Sequence, residues 1–257
     1  SKYRYCYKAV IESILPHLSK LISDSDGDVR QASAVSITGL VIHRIIRDED
    51  TPSLILRIPL QLIHSGSSNI TTTTSSQNNN NANNNKQQQQ LLDKHADMRM
   101  TEAALLGDLS PSLSPSYIMK YVTPQLLILS KDPAMKVRRV VAGHSISKAT
   151  TKAFPEDLSL RLFPAFCKLA NDEHKYVRRA SSEAMVDVSK ACCSHTMEQL
   201  RLELIQLWKK MERDPVKAVK YAALQKLGQF IATLHNPNQK MDAAQELIPY
   251  FTGMAFI

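Results

Sequence analysis

Residues 164–180 read PAFCKLANDEHKYVRRA, and residues 124–140 read PQLLILSKDPAMKVRRV. Both place a Pro eight residues ahead of an Asp, and that Asp five residues ahead of a Val-Arg pair: Pro164, Asp172 and Val177-Arg178 in one, Pro124, Asp132 and Val137-Arg138 in the other. The same frame recurs outward in both directions. Pro16, Asp24 and Val29-Arg30 precede it, and Asp214 with Val219-Lys220 follow it, with Gln206 where the Pro would stand. Val137 and Val177 are 40 positions apart and Val177 and Val219 are 42 apart, which is the period of a stacked helical hairpin.

One copy is split. Asp93 and Met98-Arg99 have the right internal spacing, but Pro59 lies 39 residues before Met98 instead of 13. The difference equals the 26-residue tract Ser65–Gln90, SGSSNITTTTSSQNNNNANNNKQQQQ. Its composition is too polar to bury a core, so it is expected to stay disordered as an insertion between the two helices of the second repeat. Lengthening that turn from about 3 to about 29 residues costs only about 2 kcal/mol of closure entropy.

Outside the tract the apolar residues recur at helical spacing and no alternating strand pattern occurs. Helix A of the third copy is expected around 117–130, burying Ile118, Val122, Leu126 and Leu129. Asp132 is then placed as the N-cap of helix B with Pro133 at its first position, and Asp214-Pro215 repeats that start. Helix B puts Val137, Val140, Val141 and His144 on one face, matched in the fifth copy by Val219, Ala222, Ala223, Leu227, Phe230 and Leu234. Ala32, Ala180 and Ala222, each three residues after the Val, let neighbouring helices approach closely. The fold expected is all-α: a right-handed α-solenoid, an armadillo-like superhelix. Its repeats fall at about 8–47, 51–116, 117–153, 156–197 and 198–235, with a partial sixth at 241–257. The sixth copy starts at Leu247-Ile248-Pro249-Tyr250-Phe251, and its Val-Arg would fall near position 262, beyond Ile257. The chain therefore reads as a piece of a longer solenoid.

Composition removes several classes. No two of the seven Gly lie within five positions, so neither the dinucleotide-binding G-x-G-x-x-G nor the phosphate-binding G-x-x-x-x-G-K-[ST] can be written. No apolar run approaches the roughly 20 residues of a membrane span. Four Cys without C-x-x-C spacing suggest a reducing compartment, cytoplasm or nucleus. The chain begins at Ser1, which leaves an upstream leader open. No Ser, His and Asp arrangement stands out and a solenoid builds no deep pocket by default, so no enzyme, cofactor or metal is expected.

The Pro-x₇-Asp-x₄-Val-Arg frame on a hairpin of about 40 residues resembles the HEAT repeat. The stretch Leu162–Leu169 through Tyr176–Ala180, and on through Asp214 to Ala223–Leu234 with Asn236-Pro237, resembles the HEAT arrays of phosphatase 4 regulatory subunits, relatives of the protein phosphatase 2A scaffold. The resemblance implies a non-catalytic regulatory scaffold that binds a serine/threonine phosphatase catalytic subunit of type 4 or 2A, with room for a further regulatory subunit. In such scaffolds the turns between helices A and B form the contact ridge. The matching positions here include Lys131, Met135, Lys136, Lys175, Tyr176, Lys217 and Ala218, the last standing where the family tends to have an aromatic. The resemblance also implies that the acidic and basic ladders, Asp24, Asp93, Asp132, Asp172 and Asp214 with Arg30, Arg99, Arg138, Arg178 and Lys220, form contacts between neighbouring repeats.

The second basic residues, Arg139 and Arg179, are either partner contacts or solvated surface. Tyr176 is either an interface anchor, as aromatics often are, or packing for the adjacent turn. Trp208, beside Leu204 and Leu207, reads as core, and His144 as a core histidine. Asp24-Ser25-Asp26-Gly27-Asp28 is no calcium loop, because Val29 and Val35 stand where Gly and Glu are needed. Cys192-Cys193 with His195 supplies too few ligands for a metal and reads as a buried pair. Ser110-Pro111 and Ser114-Pro115 are candidate phosphorylation sites between the second and third repeats. A rival class is a different HEAT adaptor, a transport receptor or a chromatin or nucleic-acid-associated scaffold. The net charge of +8 speaks for it, and the lack of aromatic-basic interleaving speaks against nucleic acid.

Overall fold

The computed structural model describes residues 7–59, 81–192, 198–234 and 245, with the side chains of 81–94 and 198 outside the description. The described residues form helices and turns and contain no strand. They divide into two compact units, Ser1–Leu113 and Ser114–Ile257. The fold is an all-α solenoid of stacked hairpins, as the 40-residue period requires.

In the first unit, α1 (7–21) packs on α2 (Gly27–Ile42), and α2 packs on α4 (Asn81–Leu109), with the short α3 (Thr51–Leu54) between. In the second, α5 (115–129) and α6 (135–150) make one hairpin, α7 (155–170) and α8 (Lys175–Ala191) the next, and α9 (Glu198–Glu212) and α10 (Lys217–Thr233) the third. The odd-numbered helices of this unit form one layer, with α5 on α7 and α7 on α9. The even-numbered ones form the other, with α6 on α8 and α8 on α10.

The recurring Pro has a local consequence. Helix α1 contains a wide π-turn at Val10–Ile14, α5 one at Ile118–Val122 and α7 one at Leu158–Leu162. In each, the residue just before the Pro donates its N–H to the carbonyl five residues back: Leu15 to Val10, Thr123 to Ile118, Phe163 to Leu158. A Pro inside a helix has no N–H to give and its ring collides with the carbonyl four residues earlier, and a widened turn relieves both. The fifth copy has Gln206 instead, and α9 is an unbroken α-helix from Glu198 to Glu212.

Three expectations need correction. The Asn/Gln-rich tract was expected to be unfolded over its whole length, yet its last ten residues, 81–90, belong to α4. Ala, Lys and Gln are adequate helix formers, and extending a helix already nucleated and packed avoids the cost of starting one. Residues 65–80 lie outside the described residues. Next, Asp132 is not the N-cap of α6 and Pro133 is not its first residue: the helix begins at Met135, with Ala134 at the cap. Asp132 instead accepts the Ala134 N–H at 2.8 Å in a turn two residues upstream of the cap. Asp214 does the same for Val216 at 2.8 Å, with α10 starting at Lys217. Finally, His144 is half-buried and does not sit in the core. A π-turn at Val141–Ser145 rotates the buried face of α6 to Val137, Val141, Ala142, Ser145 and Ile146.

Gly143 lies in that π-turn. A Cβ built on it would stand 3.0 Å from the Cβ of Ala180, so the small pair sets how closely α6 and α8 approach. The core of the last hairpin is Trp208, wholly buried and stacked on Phe230 with ring centroids 4.3 Å apart at 14°. The remaining fifth-copy positions read as apolar, Val219, Ala222, Ala223, Leu227 and Leu234, are all buried. Replacing Trp208→Ala is expected to cost about 3–5 kcal/mol in urea unfolding, because the removed ring leaves a cavity between two helices.

Candidate partner-binding surface

The turns between paired helices share a common plan, and their geometry fixes which side chains face outward. In the second unit, Arg138 Nη1 donates to the carbonyls of Asp132 and Pro133 in its own turn, at 2.8 and 3.1 Å. Its Nε and Nη2 donate to Asp172 Oδ2 and Oδ1 of the next turn, at 2.7 and 3.0 Å. Arg178 repeats this one hairpin later, holding the carbonyls of Asp172 and Glu173 at 2.9 and 3.0 Å and both oxygens of Asp214 at 2.6 and 3.1 Å. The guanidinium thus satisfies carbonyls left open after one helix and clamps the carboxylate of the following repeat. In the first unit Arg30 holds the carbonyls of Asp24 and Ser25, and its Nε reaches Thr101 Oγ1 at 3.4 Å. There Asp24 accepts the Asp26 N–H, and Asp26 is the true N-cap of α2, accepting from Asp28 and Val29. The Asp93 side chain lies outside the described residues. Arg99 and Lys220 are half-buried.

These rungs are nearly dry, with side-chain exposures of 11% and 9% for Arg138 and Asp172 and 16% and 8% for Arg178 and Asp214. Burial alone would raise the two carboxyls, but the Arg hydrogen bonds and the backbone N–H donors outweigh it and hold both below the ordinary carboxylate range. Glu212 is the reverse case. Both its oxygens are buried without a hydrogen bond, burial pushes its pKa up, and it sits at the negative end of the α9 dipole.

Of the ridge positions, Lys131, Lys175, Tyr176 and Lys217 are exposed, as are Arg139 and Arg179, whereas Met135 and Lys136 are half-buried. Tyr176 is 44% exposed, its ring stacked on His174 at 5.4 Å with the Lys175 ammonium 5.3 Å from its centroid. Three of these residues meet. Arg139, Tyr176 and Arg179 line one groove of about 400 Å³ between α6 and α8, together with Gly143, His144, Ala180 and Glu183. Lys131 and Lys217 are not part of it. Sequence reading missed the groove and missed Tyr221, 61% exposed and two residues after Val219, the place that Arg139 and Arg179 hold after their own Val. That shared offset was the available signal.

Chemistry elsewhere is sparse. Burial pushes the Cys167 thiol up to about 12, so it carries no thiolate near neutrality. Among the described residues no cluster of three His, Cys, Asp or Glu could hold a metal, and no helix is long and apolar enough to cross a membrane. Cys193 and His195 lie outside the description, and Cys192 is buried.

Comparison with known proteins bears on the hairpin whose sequence opened the reading. A model of the HEAT repeat matches residues 162–192, which hold the second half of α7 and all of α8. The matched segment is similar to a HEAT repeat. The chain as a whole is similar to serine/threonine-protein phosphatase 4 regulatory subunit 1 of Homo sapiens, 24% identical over 225 residues, or 88% of this chain. That alignment covers 20% of the human protein, so the chain spans about a fifth of the relative's length.

The rungs and the orphaned acid make opposite predictions with pH. Asp172 and Asp214 have depressed folded-state pKa values, so their contribution is present above the unfolded value near 3.9 and is lost as pH falls through the lower folded value. Urea unfolding from pH 7 down to pH 2 should show stability declining below about pH 4, and Asp214→Asn should flatten that decline while costing about 2–4 kcal/mol at neutrality. Glu212 has a raised folded pKa, so its penalty is absent below its unfolded value near 4.3 and grows as pH rises through the folded one. Glu212→Gln should therefore raise the melting temperature at pH 7.5 and leave it unchanged near pH 4.

Proposed function

We propose that this chain is part of a non-catalytic regulatory scaffold that binds the catalytic subunit of a 2A-like serine/threonine phosphatase and directs its activity. The observation that carries the reading is the extent of the likeness to the phosphatase 4 regulatory subunit, which runs through 88% of the chain. The exposed turn residues Lys131, Lys175, Tyr176 and Lys217 supply the ridge by which repeats of this kind would grip a partner. The mechanism is positional. Rungs keep the turns in line, the turns hold the catalytic subunit, and the stacked hairpins present substrates or a further regulator to it. The hydrolytic chemistry belongs to the partner, and the complex would work in the cytoplasm, the nucleus or both.

Affinity capture with the tagged chain tests this at about 150 mM salt, where the Debye length is about 8 Å and loose charge contacts are screened. The expected result is recovery of a 2A-like catalytic subunit, identified by mass spectrometry, with recovery reduced about tenfold or more by Lys175→Glu/Tyr176→Ala. Retention of nucleic acid or transport cargo with no phosphatase would transfer the chain to the rival adaptor class.

A further inference from the structure

The net charge of +8 is unevenly placed. Setting aside the rung residues Arg138, Arg178 and Lys220, helices α6, α8 and α10 carry eight Lys or Arg and two carboxylates, Glu183 and Asp187. Both carboxylates are on α8, and each is paired with a cation on its own helix, Glu183 with Arg179 at 2.9 Å and Asp187 with Lys190 at 3.2 Å. Helices α5, α7 and α9 carry six cations and five carboxylates, close to balance. The excess positive charge of the second unit is thus gathered on one layer of helices.

That layer has a groove. Its floor is the close approach of Gly143 and Ala180, and a side chain at 143 would begin to fill it. Arg139 stands on the α6 side and Arg179 on the α8 side, with the half-exposed ring of Tyr176 beside them. Arg139 makes no hydrogen bond or ion pair among the described residues. Arg179 is held by Glu183 with both side chains about half exposed, a pairing of the kind that contributes little in water and is readily exchanged. Two guanidinium groups with a tyrosine ring between α6 and α8 suit carboxylates interspersed with an apolar side chain.

We propose that the α6–α8 groove is a docking site for an acidic, extended peptide segment of another protein. Its carboxylates pair with Arg139 and Arg179 and an intervening apolar side chain rests on Tyr176. Packed helices lie about 8–10 Å apart and an extended chain advances about 3.3 Å per residue, so the two carboxylates stand about two to four residues apart. Glu183 occupies Arg179 in the free protein and acts as an internal competitor. The proposal goes beyond the phosphatase reading and does not depend on it, since it concerns direct binding to the isolated chain.

The test is fluorescence anisotropy of the purified 257-residue chain with a fluorescein-labelled peptide of about ten residues that alternates Glu with Leu and Ser, and with its Gln-for-Glu counterpart. Saturable binding of the Glu peptide is expected, weakened about tenfold or more by Arg139→Glu/Arg179→Glu and by replacing Glu with Gln in the peptide. Glu183→Gln should strengthen binding about two- to threefold by releasing Arg179, whereas Asp187→Asn, which removes the same charge outside the groove, should leave it unchanged. The milder Arg139→Gln/Arg179→Gln, checked by circular dichroism, gives the same reading if the charge reversal disturbs folding. Absence of saturable binding, equal affinity for the two peptides, indifference to the Arg substitutions, or weaker binding by Glu183→Gln would each overturn the proposal. Displacement of the peptide by a single-stranded oligonucleotide that binds more tightly would overturn it too, and would assign the face to nucleic acid.

Discussion

Everything in the second unit hangs on one interaction, the two-pronged hydrogen bond from the Arg of one repeat to the Asp of the next. Each Asp works in two directions. It accepts the N–H two residues on, which shapes the turn ahead of its own helix, and it receives the guanidinium of the preceding hairpin. Each Arg also works in two directions, toward its own turn carbonyls and toward the neighbour. The desolvation of these charges is offset because every polar atom of the rung has a partner, and loss of either member leaves a nearly buried charge without one. The outward position of Lys131, Lys175 and Lys217 follows from this geometry, since they flank turns that the rungs have already fixed.

The two layers of helices answer different demands. The odd-numbered helices of the second unit carry the Pro and its π-turn, or in α9 a Gln and no π-turn, and their charges nearly cancel. They are tied to one another by contacts such as Thr123 Oγ1 donating to Asp157 Oδ2 at 2.6 Å, with Arg161 on the other oxygen of that buried carboxylate. The even-numbered helices approach through small residues and, apart from the rung arginines, keep their cations exposed or half-buried. One layer is mainly structural, and the other has charge to spare for a partner.

The repeat, its period and the apolar positions of the last hairpin were legible in the sequence because each depends on spacing along one helix. What was lost depends on geometry that spacing does not encode. An Asp followed by Pro resembles a helix cap, and the turn that displaces the cap by two residues leaves a mark only in the first hairpin, where Asp26 follows Asp24 at that interval. His144 was placed in the core by counting a regular helix, and a π-turn breaks the count. The polar tract was judged by its inability to bury surface, which says nothing about whether its end extends an existing helix. Arg139, Arg179 and Tyr176 were each singled out. Their convergence on one groove requires two helices side by side, which no single stretch of sequence displays.

The rungs also govern how such a chain can change its length. A repeat cut at an arbitrary point would leave an Arg without its carboxylate on one side of the cut and an Asp without its guanidinium on the other. A cut that removes or duplicates one full period rejoins an Arg to an Asp in the same register. Whole repeats are therefore gained or lost in steps of the period, while an insertion such as Ser65–Gln90 lengthens the chain within one repeat without changing the number of copies.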